Sequence, residues 1–160
     1  MRIFILSLLL IAVASLPAQA DFASAMQSYQ EGDYAAAAAE WERLAAEGSA
    51  ASMFNLGLIE EGGLGREANA EKAFDWFLRA AEKGFDRAQF YVAEWLAENP
   101  TGVDDEPDLA AARQWYLLAE AQGYIGAKKR RKQLAKRMTP SQIARGDMLA
   151  REALKKLDAN

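Results

Sequence analysis

One helix ending is written three times in this chain: Ala45-Ala46-Glu47-Gly48, Ala80-Ala81-Glu82-Lys83-Gly84 and, more loosely, Ala119-Glu120-Ala121-Gln122-Gly123. Internal repetition restricts a fold more than composition does, because copies that cannot bury their apolar faces singly must stack. With Gly48 placed under Gly84 the shift is 36 residues, and it also pairs Ser52 with Ala88, Phe54 with Phe90, Leu56 with Val92 and Gly57 with Ala93. A further shift of 39 pairs Asn69 with Asp108, Ala73 with Ala112, Trp76 with Trp115, Ala80 with Ala119 and Gly84 with Gly123. The extra residues fall in the polar segment 99–107.

Each copy has the grammar of two helices. Met53, Phe54 and Leu58 stand at helical spacing, the glycine-rich stretch 61–69 breaks the pattern, and a second amphipathic helix closes at Gly84. Small residues at Gly57, Ala73, Ala80, Ala81 and Ala112 let helix axes approach, while Trp76 and Phe77, with Trp115 in the next copy, fill the space beside them. With the ending glycines Gly84 and Gly123, these are the expected packing positions. The class is all-α.

The same positions resemble a known family. Gly32-Asp33-Tyr34 followed by Ala37, Trp41 and Leu44 resembles a tetratricopeptide repeat. Leu56-Gly57, Gly63, Gly65, Lys72-Ala73, Trp76, Ala80-Ala81 and Gly84 are similar to the Sel-one-like repeat, with Asn69 for its usual Asp and Glu60 for its Tyr. The next copy keeps Val103, Asp108, Ala112, Trp115, Ala119 and Gly123 and departs at Ala93, Asn99 and Ala111. The resemblance covers roughly residues 22–127. It implies a short right-handed solenoid of antiparallel helix pairs, with a tetratricopeptide-like first repeat at 21–49 and two Sel-one-like repeats at 50–125.

Both ends differ from this body. Met1-Arg2, the apolar run Ile3 to Leu16 and Pro17-Ala18-Gln19-Ala20 read as a secretory leader, residues 1–20, cut before Asp21. Export to a bacterial periplasm or beyond is the expectation. Residues 126–160 read as a basic pair of capping helices, the second opened by Thr139, Pro140 and Gln142 as a capping box. Its expected apolar stripe is Ile143, Met148, Leu149 and Leu154. Charge follows the same division: 7 basic against 20 acidic residues from Asp21 to Ala127, then 11 against 3 from Lys128 to Asn160.

Function is narrowed mainly by exclusion. The chain has no cysteine and no histidine, which removes the thiol nucleophile, the imidazole base and the commonest zinc ligands. Asp104, Asp105, Glu106 and Asp108 are oxygen ligands of the kind calcium takes, but they lack the EF-hand spacing and suit a helix start better. The glycines of 61–65 are followed by no Gly-Lys-Ser/Thr, so they make no phosphate loop. Some cysteine-rich relatives are linked to β-lactam binding or hydrolysis; this chain has neither their cysteines nor a usable Ser-x-x-Lys. An enzyme is not expected, nor a cofactor, and nucleic acid is disfavoured because the basic run carries no aromatic residues to stack on bases.

The leading expectation is a protein- or peptide-binding module, favoured as a monomer, using a concave face made from the first helix of each pair. By register its contributors are Asn55, Glu61, Gln89, Tyr91 and Glu94, although Tyr91 and Trp95 fit a core as well. The alternative is an envelope adaptor that meets anionic lipid or polysaccharide through Lys128, Lys129, Arg130, Arg131 and Lys132. Lys128 to Arg137 also suits a plain solvated cap offsetting the acidic body. A structural role through self-assembly at an open end of the stack is the remaining reading.

Overall fold

The computed structural model describes residues 16–100 and 107–158. Among them the chain forms α1 (Leu16–Glu31), α2 (Tyr34–Ala46), α3 (Ala50–Gly62), α4 (Ala70–Glu82), α5 (Asp86–Glu98), α6 (Leu109–Ala121), α7 (Ala127–Leu134) with a 3-10 turn at Ala135–Arg137, and α8 (Pro140–Asp158). Successive helices from α1 to α6 pack on one another as a solenoid of antiparallel pairs, and α7 and α8 both pack on α6. Met1 to Ser15 of the expected leader lie outside the described residues, as do Val103, Asp104, Asp105 and Glu106. Helix α1 runs through the expected cut between Ala20 and Asp21.

The repeated ending is one hydrogen-bond pattern. Gly48, Gly84 and Gly123 adopt φ of 97°, 86° and 83°, a region where a Cβ is penalised. Each reverses the chain so that the next amide reaches back: Ser49 N donates to Leu44 O at 3.0 Å, Phe85 N to Ala80 O at 3.1 Å and Tyr124 N to Ala119 O at 2.9 Å. The glycine amides donate to Ala45, Ala81 and Glu120 carbonyls. These are Schellman closures, which satisfy carbonyls that a helix end leaves without partners. The starts repeat too: Asp33, Asn69 and Asp108 accept from Ala36 N, Lys72 N and Ala111 N at 3.0, 2.8 and 3.0 Å. Each such cap contributes about 1 kcal/mol.

Seven residues before each ending glycine stand Trp41, Phe77 and Tyr116, and all three are buried. They form the aromatic spine of the stack. Phe77 thus fills the place expected of it, whereas Trp76 and Trp115, expected to fill the same space, lie one position earlier and are only half-buried, with the Arg79 guanidinium over the Trp76 ring at 4.2 Å. Ala73, Ala80 and Ala112 are buried as the repeat requires. At Gly57 a Cβ would lie 2.5 Å from Phe77 Cδ1, so α3 and α4 touch there only because a side chain is missing.

Glu60, where the repeat pattern has Tyr, is buried and holds the glycine loop instead. Its carboxylate meets Lys72 Nζ at 2.6 Å and the Arg66 guanidinium at 2.9 Å, and its carbonyl accepts from Asn69 N. The longer connection between α5 and α6 is pinched by an isolated antiparallel bridge between Pro100 and Pro107.

At the far end, Thr139 N donates to Gln142 Oε1 at 2.8 Å and Gln142 N to Thr139 Oγ1 at 3.2 Å, a complete capping box. Helix α8 seats on α6 through small residues: Ala150 is buried, and a Cβ at Gly146 would stand 2.8 Å from Ala110 O. Arg113 and Asp147 pair across this seam at 2.8 Å. Of the expected stripe, Ile143, Leu149 and Leu154 are half-buried and Met148 is exposed to solvent.

Candidate functional site

Helices α3 and α5 carry all five expected contacts, of which Asn55, Glu61 and Tyr91 stay open to a partner at least in part. Asn55 is half-buried on α3 and Glu61 is exposed in its last turn. Tyr91 is half-buried on α5, its ring 5.3 Å from Phe54 in a T-shaped contact and 5.0 Å from Phe77. Burial raises its phenol above the ordinary range, Glu61 and Tyr124 raise it further, and Arg87 opposes them. Arg87, one turn before Tyr91, places its guanidinium over the Phe54 ring at 5.6 Å. Phe90 lies on the neighbouring stripe between Tyr116 and Tyr124.

The surface is thus an aromatic ring anchored in the core with a cation and a carboxylate beside it. Arg87 and Tyr124 were not singled out by register. The signal for Arg87 was present, since it stands four residues before Tyr91 and so shares its helix face. Tyr124 is brought in by the turn after α6, which no local pattern foretells.

Gln89 does not belong to this surface. It is buried; its amide nitrogen donates to Ala81 O at 3.3 Å and its amide oxygen accepts from Gln122 Nε2 at 2.8 Å. It stitches the ends of α4 and α6 to α5. Glu94 is also engaged within the molecule: it accepts from the Tyr116 hydroxyl and from Arg130, whose Nε lies at 2.6 Å. Burial and the adjoining carboxylate push the Tyr116 phenol well above its ordinary range. Trp95 stacks on Phe74 with centroids 4.0 Å apart, the core role open to it.

The basic run divides by residue type. Arg130 pairs with Glu94, Arg131 with Glu120 at 2.7 Å, and Arg137 with Glu98 at 3.0 Å while also donating to Ala97 O. Lys128, Lys129 and Lys132 are exposed, and with Lys136 they make no ion pair among the described residues. These lysines, Gly126 and Gln133 line an open groove of about 600 Å³ along the outer side of α7. Planar, forked guanidinium groups suit the fixed internal pairs, whereas ammonium groups on flexible stems stay hydrated outside. Asp108, the described member of the acidic loop, is spent on capping α6.

Residues 50–85 and 86–124 each match the Sel1 repeat model, the pairs α3–α4 and α5–α6. Over 62 residues the chain is 40% identical to chitin synthase regulatory factor 3 of Schizosaccharomyces pombe, a match covering 39% of this chain and 6% of that protein. In structure it is similar to a protective antigen of uropathogenic Escherichia coli that displays an SLR fold, with a TM-score of 0.75 and 24% identity over 87% of this chain and 30% of that one. The chain therefore spans a small part of either relative's length. Residues 50–124 thus carry two Sel1 repeats, and the chain shares its fold with an SLR-fold protein.

Proposed function

We propose that this chain, built on two Sel1 repeats, is a non-catalytic scaffold of the bacterial cell envelope that binds a protein or peptide on the face made by α3 and α5. Repeats of this kind serve in general as protein–protein interaction scaffolds. The observation that carries the reading is Tyr91: a core-anchored ring left partly open, with Arg87 and Glu61 acting on it. Tyrosine and arginine are enriched among the few residues that dominate binding energy at interfaces. Envelope residence rests on the basic start, apolar run and small-x-small ending of residues 1–20.

The test is retention from envelope extract at moderate salt, comparing wild type with a Tyr91→Ala/Arg87→Ala variant whose helicity by circular dichroism is unchanged. A protein kept by wild type and lost by the variant supports the face. Equal retention by both would place binding elsewhere. Fractionation with mass analysis is expected to find the chain in the periplasm with Asp21 as its first residue, and its recovery only in the cytoplasm with residues 1–20 intact would remove the export proposal.

A further inference from the structure

We infer that the lysine groove of α7, together with the turn before it, is a docking surface for an anionic phospholipid bilayer. Four observations converge there. Lys128, Lys129, Lys132 and Lys136 are unpaired among the described residues while the neighbouring arginines are tied down, so the free positive charge gathers on one outward stripe. Lys128 and Lys129 stand in the first turn of α7, which holds no acid. That is the positive end of the helix dipole, where cations weaken the helix. Their placement does nothing for the fold and is relieved by an external anion.

The third observation is Ile125. It is 93% exposed in the turn between α6 and α7, next to Gly126, which lines the groove. A large exposed aliphatic beside a lysine cluster supplies the two signals that stable surface attachment needs, apolar insertion and charge attraction. The groove floor suits the same occupant, since lysine stems lie along apolar surface while the ammonium groups reach out to phosphates. The fourth is the division of charge along the chain, 7 basic against 20 acidic residues before Lys128 and 11 against 3 after it. An anionic surface attracts the basic end and repels the body, which fixes orientation. Among the described residues no helix is long and apolar enough to cross a membrane, so the contact is peripheral.

The experiment is co-sedimentation with vesicles of phosphatidylcholine alone and mixed with phosphatidylglycerol. It uses the chain purified from a secreting host, in three forms: wild type, Lys128→Gln/Lys129→Gln/Lys132→Gln/Lys136→Gln, and Ile125→Ser. Wild type is expected to bind the anionic vesicles far more tightly than the neutral ones, by about five-fold for each lysine near the surface, with binding falling as salt rises. The quadruple variant loses that increment and keeps or slightly raises its melting temperature, because these lysines hold no internal partner and two of them oppose the helix dipole. Ile125→Ser lowers anionic-vesicle binding by roughly ten-fold, the loss from withdrawing one buried aliphatic side chain.

Four results overturn the inference. Equal binding to neutral and anionic vesicles, or equal binding by the quadruple variant, removes the lysines from the contact. Salt-sensitive binding to dextran sulfate without vesicle binding gives the groove to an acidic polysaccharide. Dimerisation by light scattering that Ile125→Ser abolishes, again without vesicle binding, gives the turn to a second copy.

Discussion

Replacing Gly57 by Ala adds one methyl group at the tightest contact between α3 and α4. The new Cβ would lie 2.5 Å from Phe77 Cδ1 and 2.9 Å from Phe77 Cζ, against the ~3.5 Å or more that carbon atoms prefer. The ring must therefore retreat by about 1 Å. It has nowhere to go: Phe77 is buried, with Phe54 at 5.3 Å and Tyr91 at 5.0 Å between centroids. Overpacking of this kind costs about 1–3 kcal/mol, and Ala recovers about 1 kcal/mol over Gly within a helix. The expected net effect is a loss of about 1 kcal/mol, ranging to about 2.

Urea unfolding followed by circular dichroism measures it, as a lower midpoint with unchanged slope. Two companions sharpen the test. Gly57→Ala/Phe77→Leu should lose about 1 kcal/mol less than the sum of its single changes, because the smaller side chain vacates the clash. Ala93→Gly, at the same register in the next pair, should also destabilise, by about 1 kcal/mol. If Gly57→Ala proves neutral or stabilising, or the double variant shows no coupling, the close approach of α3 and α4 is not what the glycine is for.

Gly146→Val should loosen α8 from α6 through the contact with Ala110 O, read as faster amide exchange in α8 with α3 and α4 unchanged. Glu60 makes an asymmetric prediction: Arg66→Gln/Lys72→Gln leaves a buried carboxylate without its cations and costs about 3 kcal/mol, whereas Glu60→Leu costs clearly less, both read from thermal unfolding. At alkaline pH the raised Tyr116 phenol stays protonated in the folded chain while an unfolded chain ionises. Its stabilising effect is therefore complete below the ordinary phenol pKa and is lost as pH rises through the folded value. Tyr116→Phe should flatten that alkaline decline in melting temperature, and an unchanged decline would assign it to other groups.

Local signals in the chain reached as far as the backbone reaches. The register of Gly48, Gly84 and Gly123 anticipated three identical helix closures, the acidic run ending at Asp108 anticipated a helix start, and Thr139 with Gln142 anticipated the capping box. Each depends on residues within about one turn of one another. Binding-face residues were less legible because their fate is decided by distant partners. Gln89 looks like a surface amide until Gln122 meets it, and Glu94 looks free until Tyr116 and Arg130 converge on it. Of the expected space-filling aromatics Trp76 and Phe77, position relative to the ending glycine selects Phe77, and the same position holds Tyr116 in the next pair. In the basic run arginine and lysine are interleaved, and only the carboxylates of α5 and α6 sort one from the other.

Helix α7 buries only Ala127 and Leu134, and Arg130 and Arg131 on it, with Arg137 in the turn that follows, are held by Glu94, Glu120 and Glu98. Most other joints of the stack are closed by apolar packing, which added electrolyte leaves intact or strengthens, while partly exposed ion pairs weaken under it. In an array whose cohesion is a sum over neighbouring units, one joint therefore responds to ionic strength with the opposite sign from the others. Among the described helices, α7 is the leaf that frays first in brine.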